Sequence, residues 1–411
     1  MQLTMSSWQD LFETRRKEGF SSLQGPCWEA FSKVKSQEAL QYVPLHRLEN
    51  VEAIKERDIL AEVLLPECRN SFIVFVDGVF RRDLSCLEAV EEVRVLTLEE
   101  ALQGSYASFL RHRHQVLFQQ ETDPFALLNG ALCQEGLFLY IPPKVCVKAP
   151  LQFLFLQQES FLPYTGPRIH LFIGSQAQVQ LVNSIGTHSL YNGLIDLALE
   201  EGAIVSHVSH TLQSGPGISF EGIRASLKKD SVLRSFLVHL GKDLLRQDYR
   251  ISLLGPGADA DLRGVSLVKD KKNSHIHVHM DHTAPSCRSY QLFKQVLAGL
   301  GKSSFTGKIY VRRAAQKTMA YQLQKSLLLS EGAMAYAKPG LEILADDVKA
   351  SHGSTTSQLD EQQLHYLQSR GIPRKEAAFL LMQGFYQEVL ESLPLPSLRE
   401  KAMKAALIWK E

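Results

Sequence analysis

Two rhythms of apolar residues divide the chain. From Trp8 to about Leu102 the apolar positions mostly recur at helical spacing, as at Trp8, Leu11 and Phe12 and again at Val51 and Ile54, with charged residues between them. Residues 71–80, SFIVFVDGVF, break that rhythm with a short β-rich run that turns at Asp77-Gly78, a hairpin signal. A further helical segment is expected over 96–128. The first third is therefore read as helical with one inserted β element.

From about Gly136 the texture changes to short alternating strands such as LFLYI, LQFLFL, RIHLFI and HIHVHM, separated by Gly, Pro, Asn and Asp. A weak echo runs through them, in which a polar or glycine turn is followed by a small residue and an alternating strand. It starts at Gly174, Gly202, Asp230 and Gly257, a return of 27 or 28 positions, and a similar unit begins at Gly332. A repeat of that length with several strands and no helix suits one coil of a β-solenoid, because each coil buries its inward face only against the next. A β-sandwich would also alternate, but nothing in it requires a fixed return distance.

Helical spacing resumes after Ser357. Asp360 is placed to cap a helix carrying Leu364 and Leu367, and Gly371 falls where a left-handed cap would stop it. Pro373 suits the first turn of a second helix with the apolar stripe Ala377, Leu380, Leu381, Gly384, Phe385 and Val389. LPLPS precedes a last short helix to Trp409. The expected domains are a mostly helical 1–135 with its β insertion, a β core over 136–356, and a C-terminal helical module over 357–411.

Charge narrows the function. With 45 Lys plus Arg against 44 Asp plus Glu there is no global field to draw nucleic acid or an anionic membrane, so recognition is expected to be local. Six scattered cysteines form no CxxC pair and read as reduced, mostly buried thiols. The opening residues lack the apolar core of a signal peptide and no long apolar run appears, so a cytoplasmic location is expected.

Three local features carry candidate chemistry. His275, His277 and His279 alternate along a strand, with His282 three residues on; at about 3.3 Å per residue the outer two of the triplet stand roughly 13 Å apart, too far to share one ion. Neighbouring members such as His277, His279 and His282 remain weak metal candidates beside a plain exposed or interface row. VLAGLGKS at 296–303 nearly spells a phosphate loop, but Val296 replaces the first glycine and a strand-like SFTGKIYV follows where a helix is required. His352, in ADDVKASHGST, is placed in a polar turn, with Asp346 and Asp347 as nearby acids; a solvated turn residue is the alternative. The basic spots at 111–114, 269–272 and 312–313 lack interleaved aromatics and are read as solvated faces.

The run from Phe305 to Leu390 resembles the SufB/SufD family in FTGKIYV, AAQKTMAYQLQKSLLLS, PGLEILADDVKASHG, LDEQQLHYLQSRGI and the helix ending GFYQEVL. Weaker likeness reaches back through PFALLNGALCQEGLFLYIPPKVCVKAPLQ to FIVFVDGVFRRDLS, covering about 72–392. The DDVKASHG form looks like SufD rather than SufB. The resemblance implies a right-handed parallel β-helix flanked by helical ends, acting as a non-catalytic scaffold subunit in iron–sulfur cluster assembly. It implies pairing with SufB through the β-helix core and docking of the SufC ATPase by the C-terminal helices, with Ile372, Leu381, Phe385 and Val389 as docking candidates. By the same resemblance His352 matches a histidine implicated in cluster formation at the SufB contact. Many SufD sequences carry cysteine two positions before that histidine; here the position is Ala350, and the turn around Ala333 has no cysteine either. A transient cluster in the complex is implied, no cofactor is expected to bind this chain tightly alone, and reduced FAD in the complex is left open. A homodimer of the isolated chain is also left open. The competing reading is a metal-dependent or carbohydrate-active β-helix enzyme, for which no convincing pair of groove carboxylates is visible.

Overall fold

A computed structural model of the chain describes residues 5–16, 21–33, 40–50, 63–133, 135–157, 164–186, 189–211 and 217–410. The helical spacing at Val51 and Ile54 lies outside them.

The alternating segments beyond Gly136 pair in parallel, and, apart from the two-residue strand at 164–165, consecutive strands go to opposite sheets. Sheet one runs in the order β2 (Val79–Cys86), β1 (Phe72–Val76), β5 (Leu151–Leu156), β8 (Gln178–Ile185), β10 (Ile204–Thr211), β12 (Val232–Leu240), β14 (Asp259–Val268), β16 (Arg288–Leu297), β18 (Thr318–Leu328) and β20 (Val348–Gln358). Sheet two runs β3 (Arg94–Thr97), β4 (Gly136–Ile141), β7 (Arg168–Ile173), β9 (Leu190–Leu199), β11 (Ile218–Leu227), β13 (Leu244–Leu253), β15 (Asn273–His282), β17 (Lys302–Val311) and β19 (Met334–Ile343), with the short β6 (Tyr164–Thr165) beside β9. The chain thus climbs one rung on each sheet per coil, which makes a parallel β-solenoid and excludes the sandwich.

Inward side chains stack in rows one coil apart, as Val179, Val205, Leu233 and Ala260 do in sheet one. All four are buried in the largest apolar cluster. Truncating one such leucine to alanine costs about 2–5 kcal/mol, because neighbouring coils cannot close the void.

The 27–28-residue echo has a physical cause at the corner between sheet two and sheet one. Gln176, Gly202, Asp230, Gly257, Ser286 and Lys317 all hold φ between 55° and 76° there. Each donates its backbone N–H to the turn of the next coil: Gln176 to Glu201 O, Gly202 to Lys229 O, Asp230 to Pro256 O, Gly257 to Pro285 O, Ser286 to Gln316 O and Lys317 to Asp347 O. The small residues that follow, Ala177, Ala203, Ala258 and Cys287, are fully buried inside the corner. Gly174 precedes the left-handed position of its own coil, Gln176, by two residues, and Gly332 does not belong to this series at all. It lies at the opposite corner, between β18 of sheet one and β19 of sheet two.

The first third carries more strand than its apolar spacing suggests. Besides the β1–β2 hairpin, β3 pairs antiparallel with β4. Helices α1 (Met5–Arg15), α2 (Ser21–Ser32), α3 (Leu98–Gln103), α4 (Ala107–Gln120) and α5 (Pro124–Leu132) complete this part. A capping box between Thr97 and Glu100 starts α3, and the Asp123 carboxylate accepts from Phe125 and Ala126 N–H to start α5. Their apolar side chains cover the outer face of sheet two, joining Trp8, Phe12 and Phe125 to Phe138, Tyr164, Ile218 and Phe220.

At the other end, α6 (Glu361–Ser369), α7 (Arg374–Glu391) and α8 (Pro396–Ala406) lie on the outer face of sheet one. Phe379, Met382, Tyr386, Val389, Leu390 and Leu398 pack there on Val208, Phe236, Val238, Val265, Leu292 and Val296. Asp360 caps α6 as expected, and Gly371 takes φ 87° just past its end. Pro373 sits one residue earlier than expected, as the residue preceding α7. No helix among the described residues is long and apolar enough to cross a membrane.

Candidate functional site

The two ends of the solenoid are finished differently. At the first, the antiparallel β1–β2 hairpin and the antiparallel β3 close the sheets, and β2 carries Arg81, Arg82 and Asp83 along its edge. At the last, β19 and β20 are each paired on one side only and end their sheets as strands of 10 and 11 residues. Both are largely exposed, on the face toward the lumen as well as outside, with Ile343 and Leu344 open to solvent and Leu341, Val348 and Ala350 half-covered. A long parallel edge with a free row of backbone donors and acceptors is a template for another chain unless it is covered.

His352 lies on this end. It belongs to β20 rather than to a turn; the bend is at Asp346 and Asp347, where Asp347 N–H donates to Gln316 Oε1. His352 stands five positions along extended chain from Asp347, about 16 Å at 3.3 Å per residue, so the two acids sit at the corner and not beside the imidazole. His352 shares the inward-facing parity of Val348 and Ala350 and stands in register with Gln322 of β18. In this last coil that inward face is open, and the imidazole is exposed. Ala333 is buried near the opposite corner, against Val268 and Leu297.

Behind His352 the lumen is polar. Gln322 Nε2 donates to Gln291 Oε1 at 2.8 Å, one coil further in, and Gln324 Nε2 donates to Gln295 Oε1 at 3.1 Å and Ser326 Oγ at 2.6 Å. These amide rungs are 2% exposed or less.

The histidine row is divided between two faces and is not a solvated row. His275 is buried and its Nδ1 lies 2.7 Å from Ser304 Oγ, while His277 Nδ1 lies 2.5 Å from the Asp248 carboxylate. His279 is half-buried beside them on the outer face of sheet two. His282 has the opposite parity, points into the lumen fully buried, and pairs with Ser289 Oγ at 2.8 Å. Among the described residues no three His, Cys, Asp or Glu side chains come together as a set able to hold a metal ion.

His277 belongs instead to a buried ionic seam under α4 and α5. Asp248 meets Arg224 at 2.6 Å and Arg246 at 3.1 Å, Arg246 reaches Asp123 at 2.5 Å, and Glu121 meets Arg224 at 2.7 Å. Burial alone would raise the Asp248 carboxyl, but Arg224, His277 and Arg246 outweigh it and hold it well below the usual carboxylate range. Further along, Arg113 grips Asp196 at 2.5 Å, and His114 Nε2 lies 2.9 Å from His170 Nε2. Burial, helped by His170 and Arg168, pushes His114 down to about 2. The 111–114 spot is therefore a solvated face only in part: Arg111 and His112 are exposed, whereas Arg113 and His114 bind the N-terminal helices to the solenoid.

VLAGLGKS forms the corner from β16 to β17, with Gly299 at φ 63° and strand following, so no helix N-terminus faces an anion there. Of the C-terminal candidates, Ile372 and Leu381 are half-buried. Phe385 packs under Lys294, whose Nζ stands 5.5 Å from the ring centroid and donates to Phe385 O at 2.8 Å. Val389 is wholly buried in the module's own packing. The outer surface instead presents Tyr366, 57% exposed, and Leu380, 42% exposed, with Gly384 one turn from Leu380 and open space around it. Leu380 and Gly384 belong to the apolar stripe visible in the sequence, although not among its docking candidates, and Tyr366 falls outside that stripe.

Comparison with known proteins adds a family context. A family model described as the SUF system FeS cluster assembly, SufBD core domain, matches residues 155–385, and one described as the SufBD protein N-terminal region matches 48–153. An iron–sulfur cluster assembly SufBD family protein of Synechocystis sp. is 27% identical over 97% of this chain and 91% of its own length. The iron–sulfur cluster assembly protein SufD of Escherichia coli is 24% identical over 97% of this chain and 95% of its own length. A SufBD family protein of Mycobacterium tuberculosis reaches 35% identity over 44% of this chain and 48% of that one.

Proposed function

The chain belongs to the SufBD family of iron–sulfur cluster assembly proteins, and on that premise we propose that it is a SufD-type scaffold subunit that does its chemistry only at a junction with a second chain. The observation that carries this reading is the uncapped last coil, with two long free edges and an exposed imidazole on the lumen side between them. A second solenoid of the same cross-section, as expected for SufB, would continue both sheets by pairing with β19 and β20. His352 would then be enclosed at the seam.

An imidazole is a borderline ligand suited to iron, whereas sulfide and thiolate are the softer partners of a cluster. Ala350 and Ala333 leave this end without a thiolate, so those ligands are assigned to the partner. The cluster is the product made at the seam and passed on. The C-terminal module, through Tyr366, Leu380 and the neighbouring Ile372 and Leu381, is assigned to docking the SufC ATPase. Its anchoring by Phe385, Val389 and Lys294 onto sheet one gives motion of that module a mechanical route to the solenoid.

The test is pairing. Ser354 and Thr356 share His352's face of β20 and are exposed, so arginine at both leaves the fold intact. Co-purification with SufB should be lost in that double variant and retained in His352→Ala, which should lose cluster yield instead. Retained pairing in the arginine variant would remove the last coil as the interface. A second copy of this chain on the same edge is the alternative occupant, recognised by a dimer in gel filtration that the arginine variant abolishes.

A further inference from the structure

In sheet one, a single inward column contains Leu262, Gln291, Gln322 and His352 on four successive rungs. The two glutamines form a polarised amide ladder: Gln322 Nε2 faces back to Gln291 Oε1 at 2.8 Å. The oxygen and nitrogen of an amide diverge, so Gln322 Oε1 is turned away from Gln291 Oε1 and lies near Gly307 of β17. That oxygen is buried and has no hydrogen-bond partner among the described residues. An unsatisfied buried acceptor is costly, so a donor is expected once the end is sealed from water. The room for the amide is built in, since a side chain at Gly307 on β17 would collide with the Gln322 amide group.

Resting on the role given above to His352, we infer that Gln322 is a positioning residue, whose Oε1 accepts the His352 ring N–H when a partner closes the last coil. A neutral imidazole has one N–H and one lone pair, so donation into the ladder fixes the tautomer and ring plane and leaves the other nitrogen as a lone pair facing the seam. Histidines that ligate metals commonly have their second nitrogen held in this way, and loss of the holding group typically weakens affinity or activity ten- to a hundredfold. Leu262, the rung inside Gln291, ends the column in apolar packing and leaves Gln291 Nε2 without a partner there, so of the ladder's two open ends only the one at His352 lies at the free edge of the sheet.

The experiment uses the full complex with SufB and SufC and follows the rate of cluster formation by absorbance. Gln322→Met keeps the length of the side chain and removes only the amide; it should slow cluster formation about tenfold while partner binding and melting temperature stay near wild type. Gln322→Glu retains an acceptor oxygen at the same reach and should recover most of the rate. Because both residues act as one unit, Gln322→Met combined with His352→Ala should be no slower than His352→Ala alone. As a second variant, Gln291→Met removes the polarising neighbour and should give a smaller loss of the same kind. A wild-type rate in Gln322→Met, a Glu variant as slow as Met, or losses that multiply in the double variant would overturn the inference and leave the role of His352 standing. A wild-type rate in His352→Ala would instead remove the reading on which it rests.

Discussion

Asp248→Asn is the sharpest perturbation of the seam that binds the N-terminal helices to the solenoid. The carboxylate is 1% exposed and lies within 3.1 Å of Arg224, Arg246 and His277. Asparagine keeps the shape and removes the charge, leaving Arg224 and Arg246 buried with only Glu121 and Asp123 to answer them. Breaking a buried pair from one side typically costs about 3–5 kcal/mol, several times the median for a surface pair.

The pH dependence has a defined sign. Asp248 is held below its unfolded value near 3.9, so its contribution is full above that value and drains as pH falls through the folded one. The gap between wild type and Asp248→Asn should therefore be widest at neutral pH and narrow below about pH 4. Urea unfolding read by tryptophan fluorescence is suited to the test. Trp8 stands 5.7 Å from Tyr164 and Trp28 stacks 4.7 Å from Phe12, so two of the three tryptophans report on the N-terminal helices. A loss under about 1 kcal/mol at pH 7, or a gap that does not change with pH, would refute the assignment of the seam's strength to this charge.

Other perturbations probe separate parts of the account. His114 and His170 are buried with lowered pKa values, so the unfolded chain takes up protons first and stability should fall as pH drops below about 6.5; His114→Gln should flatten that slope in melting curves from pH 7.5 to 5. Gly255→Ala would drive a methyl into the Lys229 backbone, which has no side-chain freedom to yield, and should cost about 1–3 kcal/mol by chemical denaturation. Leu380→Asp should weaken SufC capture at least tenfold in a pull-down with an unchanged melting curve, whereas Val389→Asp should unfold the C-terminal module before any effect on capture can be read.

The solenoid was legible because one corner repeats a demand that sequence can show. A left-handed turn favours Gly or Asp, and Gly202, Asp230 and Gly257 supply them; the column fades from view where Ser286 and Lys317 hold the same conformation without a glycine. Gly332 misled because the opposite corner also uses glycines, as Gly299 shows. The split of the histidines was readable from parity alone, since His282 is an odd number of residues from the other three on an unbroken strand. The burial of Arg113 and His114 was not, because a charge on a helix gives no sign of the Asp196 and His170 that await it on a distant strand. His352 looked like a turn residue because β20 is made of small polar residues, and a strand whose inner face is left open needs no apolar alternation.

Amide hydrogen exchange on β20, in the free chain and after addition of SufB, is the most direct measurement of whether the last coil is where a second chain joins. The account predicts fast exchange along the outer side of residues 348–358 in the free chain and strong protection in the complex. Unchanged exchange there in a complex that has formed would contradict it.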